Sequence, residues 1–472
     1  MLRTTGSMSR AALCGMAVLT GAAACAPRDA GFGSVQVLAR QRAGLDPEWR
    51  ELSGDDTVDQ SAAELLAQPV GPDEAVDIAL LKNADLQARF EDLGIARAQL
   101  VDASLPPNVE LAGDIASFAD DRRSDFGVTA MTDLSRLLFL HLRRAAASAG
   151  LEAARIETGG AVLDFAYMVR NAFYDYQAAD QSFELDRTVL EAAAASWDAA
   201  QRLYDAGNIT ALELAHERAF YEEARSDAAL AEAALLGRRE ELNAWMGLSG
   251  TDTNWELASR LGEPQPEEEI PGVEALEARA IGDSLDLLGL EYRYTAAARR
   301  ANLARAEGLL PSLRAGARVG REEDVRQIGP VVSLELPLFS QGQGRVEEAR
   351  AEMRQLEQRY GARAVRIRAA VRAARNDLVV AVRRVGHYRD VLLPLREQII
   401  DETQRQYNAM QAGVFELLLA RREQVRTAQE YVAALRTYWQ ARSRLDRILA
   451  GRLVPAPDAA DMPEWGYLER ED

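Results

Sequence analysis

The chain has only two cysteines, and both lie within its first 25 residues. Cys14 falls inside an N-terminal segment that reads as an export signal. Removing that segment leaves no pair of cysteines for a disulfide, although an exported protein could hold one. The fold must therefore be stabilised by packing alone.

Lysine and histidine are also scarce, and acidic residues outnumber basic ones. The net charge is −19, and Lys82 is the single lysine. This argues against nucleic acid as a partner, because phosphate binding needs a basic face. The histidines His141, His216 and His387 lie far apart, and none has a cysteine or histidine at ligand spacing, so no metal site is predicted. With no phosphate loop or nucleophile elbow, we predict no catalytic residue, no cofactor and no enzyme activity.

The N-terminal segment carries Arg3 and Arg10 and then a short apolar run over residues 11–24. That run is too short to span a bilayer as a helix, and small residues precede Cys25. The pattern predicts a lipoprotein signal, with lipid carried on Cys25 as the new N-terminus. The alternative is an ordinary secretory signal in which Cys25 has no role. No later apolar run is long enough for a transmembrane helix.

The rest of the chain is predicted to consist of two copies of one structural repeat. Each predicted repeat has a helix, a strand pair, a very long helix, a glycine turn and a returning helix. Three landmarks recur at one offset of about 205 residues: Leu105-Pro106 with Leu310-Pro311, Gly207 with Gly413, and Gly247 with Gly451. The predicted segments are a signal peptide (1–24), an N-terminal anchor segment (25–72), repeat one (73–250), a linker (251–270), repeat two (271–452) and an acidic tail (453–472).

The long helices are predicted over residues 136–206 and 344–412, after a first helix over 72–104. Apolar residues in 344–412 recur at steps of three and four, as in a coiled coil. At 1.5 Å per residue this helix would be about 105 Å long. Pro394 lies inside it and should kink it.

Apolar and polar residues alternate over residues 107–118, 312–320 and 328–338. Period-two alternation over about ten residues fits strands with one face toward lipid and the other toward water. The polar segments 119–124 and 321–326 are predicted as exposed loops between paired strands. The alternative is a pair of soluble hairpins packed on helices.

Together these segments resemble the TolC-type outer-membrane efflux proteins, most closely their lipidated members. The resemblance is carried by residues 330–339 with Gly342 and Gly344, by the turn segments 204–214 and 407–420, and by residues 83–86. It covers nearly the whole mature chain.

The resemblance implies a mainly α fold with a β-barrel part. Each subunit of a homotrimer would give four strands to a twelve-stranded transmembrane β-barrel, and long antiparallel coiled-coil helices to an α-barrel. It also implies an outer-membrane, lipid-anchored location that extends into the periplasm. The implied partners are a periplasmic adaptor, an inner-membrane transporter reached through it, and outer-membrane lipid.

The same resemblance assigns roles to the two glycine turns. Residues at the turns would meet the adaptor: Gly207, Asn208 and Ile209 in the first, and Gly413, Val414 and Phe415 in the second. A helix C-cap is the simpler interpretation of each glycine. Residues just past the turns would form a periplasmic gate: Glu213, Glu416, Arg421 and Arg422, with the arginines pairing with Glu416. A solvated helix face is the alternative.

The resulting functional hypothesis is a passive exit duct of a tripartite efflux pump for drugs or metal ions. The alternative is a lipid-anchored periplasmic coiled-coil scaffold without a pore. Lipid-facing strands distinguish the two, because a scaffold has no use for them. The substrate stays open at this stage, with segment 407–415 resembling the metal-associated branch.

Overall fold

The computed structural model describes residues 30–50, 56–117, 124–322 and 325–453. Cys25, and the predicted acidic tail from residue 454 onward, lie outside the described residues. The helices are α1 (Phe32–Ala43), α2 (Asp56–Leu66), α3 (Pro72–Lys82), α4 (Ala84–Ser104), α5 (Leu134–Leu138), α6 (Leu140–Asp205), α7 (Ala211–Met246), α8 (Val273–Gly282), α9 (Leu285–Leu309), α10 (Gln343–His387), α11 (Leu393–Asn408) and α12 (Val414–Leu449). The strands are β1 (Val109–Ser117), β2 (Ser124–Asp133), β3 (Leu313–Glu322) and β4 (Val325–Leu334).

The two halves of the chain have the same order of elements. A helix pair, two strands, a long helix and a returning helix follow one another in each. The two compact units of the structure do not coincide with these two halves. One unit combines residues 88–159 and 285–364 with the chain up to residue 38, and the other combines 39–87, 160–284 and the chain from 365 onward. Each unit takes pieces from both halves, so the repeats 73–250 and 271–452 stay a sequence prediction.

Each unit has its own apolar core. In the first unit the rings of Phe32 and Phe90 meet edge to face, with centroids 4.9 Å apart. In the second unit Phe173, Leu242 and Tyr438 are almost fully buried. The sheet lies in the first unit, as one antiparallel sheet of order β1-β2-β3-β4.

The helix predicted over residues 72–104 is broken at Asn83, which has an extended backbone. Its side-chain oxygen accepts a bond from Leu86 N (3.0 Å) and so caps the start of α4. Its amide donates to Trp245 O at 3.0 Å. The break is therefore a helix N-cap that also ties this helix pair to α7.

The predicted long helices are present with modified ends. The helix predicted from residue 136 starts as the short α5 and then continues as α6, whose 66 residues span about 99 Å. In the second half a π-helical turn over Tyr388–Leu392 precedes Pro394. Proline has no N–H to donate back along the helix, and the π turn accommodates that loss. Among the described helices, none is both long and apolar enough to cross a membrane.

The predicted apolar seam of α10 is mostly buried. Eight apolar residues at the predicted steps of three and four have little exposure: Val346, Ala349, Leu356, Ile367, Val371, Ala374, Leu378 and Val385. Tyr360 departs from the seam, with 36% of its surface exposed. The steps of three and four therefore identified the packed stripe of this helix.

Polar clamps join α6 to α12 in the second unit at every third turn of α6. Asp164 pairs with Arg447 at 2.8 Å, and Asp175 pairs with Arg436 at 2.5 Å. Farther along, Asp186 accepts a bond from Gln429 at 2.5 Å. These acids are spaced so that they return to one face of the helix. The clamps therefore run along the antiparallel contact of α6 with α12.

The predicted linker is held against α10 and α12. Arg383 donates two bonds to Glu267, and Arg389 Nη1 lies 2.9 Å from Glu263. Trp439 Nε1 donates to Gly262 O at 2.9 Å. Two acidic residues of the linker, Glu263 and Glu267, thus have arginine partners within the second unit.

We predict that Asp164→Ala is severely destabilising. Asp164 holds both Arg447 and Arg452, and the three side chains are largely buried. Removing the carboxylate leaves two arginines without their anion, which should cost about 3–5 kcal/mol. Denaturant unfolding of the detergent-solubilised protein would measure this.

The control is Glu241→Ala, which breaks an exposed pair with Arg238. It should change the free energy of unfolding by less than about 1 kcal/mol. Equal effects of the two variants would contradict the buried clamp.

Candidate functional site

The sheet has one apolar face, and that face is exposed to solvent. The register places the same side of all four strands together. The exposed apolar residues on this face are Val109, Leu111, Ile115, Phe126, Val128, Val319, Ile328, Val332 and Leu334. Ile115, for example, is 81% exposed. A continuous apolar patch of this kind marks a surface that contacts something other than water.

The opposite face is polar and carries two ion pairs. Glu110 Oε2 lies 3.1 Å from Arg314 Nη1, and Asp114 Oδ2 lies 2.7 Å from Arg318 Nη2. Each pair joins β1 to β3, which are not neighbours in the sheet. The alternation predicted from the sequence for these strands is present in the structure.

The boundaries of the last two strands differ from the prediction. Residues 321–326 were predicted as a loop, but Arg321 and Arg326 face each other in the β3–β4 ladder. At the other end β4 stops at Leu334, before Leu336. The ladder ends there because Leu334 pairs with Leu313, the first residue of β3.

The sheet ends in two unpaired edges within the described chain. β1 and β4 are its outer strands, and each pairs on one side only. Such edges need partners wherever water is absent.

The first helical turn ends α6 through Gly207. Gly207 has a positive φ of 77°, and Asn208 N donates to Leu203 O at 2.8 Å while Gly207 N donates to Tyr204 O at 2.9 Å. This pattern is the Schellman motif, in which a left-handed residue closes a helix. The C-cap interpretation of Gly207 is confirmed. Asn208 is exposed, and Ile209 is half-buried.

The second turn uses Met410 in place of a glycine. Met410 has a φ of 55°, and the bonds from Gln411 N to Gln406 O (2.8 Å) and from Met410 N to Tyr407 O (3.0 Å) repeat the motif. Gly413 has a φ of −80° and is the N-cap of α12. The C-cap interpretation of Gly413 is therefore wrong, because Met410 already closes the preceding helix. The side chains of Val414 and Phe415 lie outside the described part.

Glu213, predicted as a gate residue, caps a helix within the chain. Its carboxylate accepts bonds from Thr210 N (2.7 Å) and from the Thr210 hydroxyl (2.9 Å), and Thr210 Oγ1 accepts from Glu213 N. This is a capping box. The backbone and hydroxyl bonds from Thr210 lower the pKa of Glu213 below its usual range. Glu416 holds the same position after Gly413, which has no side chain to complete the box.

Arg422 was predicted to pair with Glu416, but in the structure it pairs with a different acid. Arg422 Nη2 lies 3.1 Å from Glu223 of α7. Glu416 is six residues from Arg422 on the same helix, and that spacing does not bring two side chains together. Glu223 of α7 is the acid that Arg422 contacts instead. Arg421 is exposed. The gate role of these four residues stays a prediction.

One buried polar residue near the first turn was missed. Glu217 is 3% exposed and accepts a bond from Ser196 Oγ at 2.7 Å, while its Oε1 has no partner among the described residues. The sequence does not distinguish Glu217 from the other acids of α7, such as Glu222 and Glu223, which are exposed. Within the described ranges, no group of three His, Cys, Asp or Glu side chains could hold a metal ion.

Comparison with known proteins gives a family match, a sequence relative and solved structures of the same fold. Residues 76–248 match the family described as Outer membrane efflux protein. The cobalt-zinc-cadmium resistance protein CzcC of Cupriavidus metallidurans is 25% identical over 395 residues, which cover 81% of this chain and 90% of that protein.

Two solved structures illustrate the shared fold. The Campylobacter jejuni CmeC outer membrane channel has a TM-score of 0.68 at 17% identity, covering 80% of this chain and 85% of that one. The Neisseria gonorrhoeae MtrE outer membrane channel has a TM-score of 0.65 at 18% identity, covering 80% and 89%. The family resemblance and the fold class predicted from the sequence are confirmed.

The two turns should respond oppositely to substitution. Gly207→Ala should weaken the first turn by about 1 kcal/mol, because a Cβ disfavours the left-handed backbone. Met410→Gly should strengthen the second by about 1 kcal/mol for the same reason. Amide hydrogen exchange of peptides covering each turn would measure both. Ala412→Gly is the control, since Ala412 has no positive φ and should gain nothing.

The capping box should weaken in acid. The folded-state pKa of Glu213 lies below its ordinary value of 4.5, so its contribution is present above that value and is lost as pH falls through the folded pKa. Amide exchange at the start of α7, corrected for its intrinsic pH dependence, should therefore rise in that range. Glu213→Gln, which has no titrating carboxyl, should abolish this pH response. Thr210→Ala keeps the backbone bond and should weaken the cap by about 1 kcal/mol at neutral pH. An unchanged pH response in Glu213→Gln would contradict the assignment.

Proposed function

We propose, on the premise that the chain is an outer-membrane efflux protein, that it is the channel subunit of a tripartite efflux pump. It forms a passive exit duct that lies in the outer membrane and extends into the periplasm. The observation that carries this proposal is the four-stranded sheet with an exposed apolar face, a polar face and two open edges. A coiled-coil scaffold has no use for such a sheet.

The channel requires several copies of the chain. An open four-stranded sheet is not stable in lipid, because the backbone groups along its edges would lack hydrogen-bond partners. Joining β1 of one copy to β4 of the next removes every edge and turns the apolar face outward. Three copies would give a twelve-stranded barrel, and this number comes from the family resemblance.

The helices carry the duct through the periplasm. α6 and the α10–α11 segment are much longer than any single core needs, and each turns back through a short loop. Gly207, Asn208 and Gly413 are exposed at these turns, and we propose that they meet a periplasmic adaptor. An inner-membrane transporter, reached through that adaptor, supplies the energy.

The family is one of channel-type efflux proteins and not of enzymes. The duct we propose has no chemical step and no cofactor. Glu213, Glu416, Arg421 and Arg422 remain the proposed gate, with Glu213 available to it only when the capping box with Thr210 opens. Cys25 is the proposed lipid anchor.

The cargo we propose is divalent metal ions. Support comes from the similarity to CzcC, named as a cobalt-zinc-cadmium resistance protein, over most of both chains. A strain lacking this protein should become sensitive to cobalt, zinc or cadmium salts. Sensitivity to drugs alone would assign the duct to a drug pump instead.

Conductance tests the channel directly. The purified full-length protein should run as a trimer in detergent and open ion-conducting pores in planar bilayers. Leu111→Asp and Val332→Asp place a charge on the apolar face, so both should reduce membrane insertion. Ala112→Asp, on the polar face of β1, is the matched control and should insert normally. A folded monomer without conductance would favour the scaffold.

A further inference from the structure

We propose that the two ion pairs on the polar face of the sheet, Glu110–Arg314 and Asp114–Arg318, determine the ion selectivity and the open width of the membrane part of the channel. This inference rests on the proposed function, because only a closed barrel puts that face on the lumen. These four side chains would then balance the charge of the lumen wall and lie close against it, and each can be tested by substitution.

The ion pairs cross over β2. In the sheet register Asp114 of β1 lies opposite Gly127 of β2, and Arg318 of β3 lies opposite Thr129. The carboxylate and the guanidinium nevertheless meet at 2.7 Å. The side chains therefore extend toward each other along the sheet surface, above the backbone of the strand between them.

Gly127 provides the room for this crossing. A Cβ at Gly127 would lie 2.8 Å from Arg318 Nη2 and 2.8 Å from Asp114 Oδ1, closer than ordinary contact. The ion pair thus lies on the backbone of β2 where a side chain would otherwise stand. Any larger residue there must push the arginine away from the wall.

Stability does not explain this arrangement. All four side chains are at least 43% exposed, and exposed ion pairs contribute little to folding. In a lumen the same pairs have a clear consequence. Each arginine is neutralised by a carboxylate within hydrogen-bond distance, so the wall carries charges of both signs and no excess of either from these residues.

Charge-removing variants test selectivity through the reversal potential across a salt gradient in planar bilayers. Asp114→Asn leaves Arg318 unpaired and should shift the permeability ratio toward anions by roughly two-fold or more. Arg318→Gln leaves Asp114 unpaired and should shift it toward cations to a similar extent. The double variant should return near the wild-type value.

The matched control is Arg326→Gln. Arg326 is in the same sheet but points to the opposite face, because it pairs with Arg321 in the register. It removes the same charge and should leave the permeability ratio unchanged. An equal shift in this control, or no shift in either single variant, would overturn the selectivity assignment.

Gly127→Val tests width without changing charge. The added side chain should displace the ion pair into the lumen and lower the single-channel conductance. Gly113→Val is the control, because Gly113 lies on the apolar face and a Cβ there meets only Gly127 O at 3.9 Å. Unchanged conductance in Gly127→Val, with trimers still inserted, would overturn the width assignment.

These outcomes separate the inference from the proposed function. A wild-type protein that never conducts would refute the duct itself. A conducting wild type whose variants keep its selectivity and conductance would refute only the role of the ion pairs.

Discussion

The backbone groups along the free edges of β1 and β4 impose the strongest constraint on this molecule. Each N–H or C=O buried in lipid without a partner costs several kcal/mol. The apolar face of the sheet is exposed, and contact between apolar side chains and water is unfavourable. In the proposed channel, closure through further copies of the chain satisfies both the edges and the face.

The helical part is organised around arginine. The chain has one lysine, and arginines make the repeated contacts between its helices. Arg383 binds Glu267 through two parallel bonds, and Arg447 and Arg452 share Asp164. A planar guanidinium suits these forked contacts better than an ammonium does. The apolar seam buries the helix faces, and the polar clamps fix how α6 and α12 align.

The two turns, which the sequence suggests are equivalent, are built differently. Both close a long helix with the same hydrogen-bond pattern, but Gly207 fills the left-handed position in one and Met410 in the other. The helices that follow also start differently, with Thr210 and Glu213 forming a capping box and Gly413 offering no side chain. An apparent match of Gly207 with Gly413 in the sequence therefore pairs residues with different structural roles.

The sequence by itself determined the long helices and the alternation of three of the four strands, because hydrophobic periods of 3.6 and two are local properties of the chain. It also carried the family resemblance. Tertiary structure alone decided that Arg422 meets Glu223 and that the ion pairs cross β2 above Gly127. Those contacts depend on register and on residues far apart in the chain, and a periodic pattern specifies which face a residue occupies but not which partner it finds there.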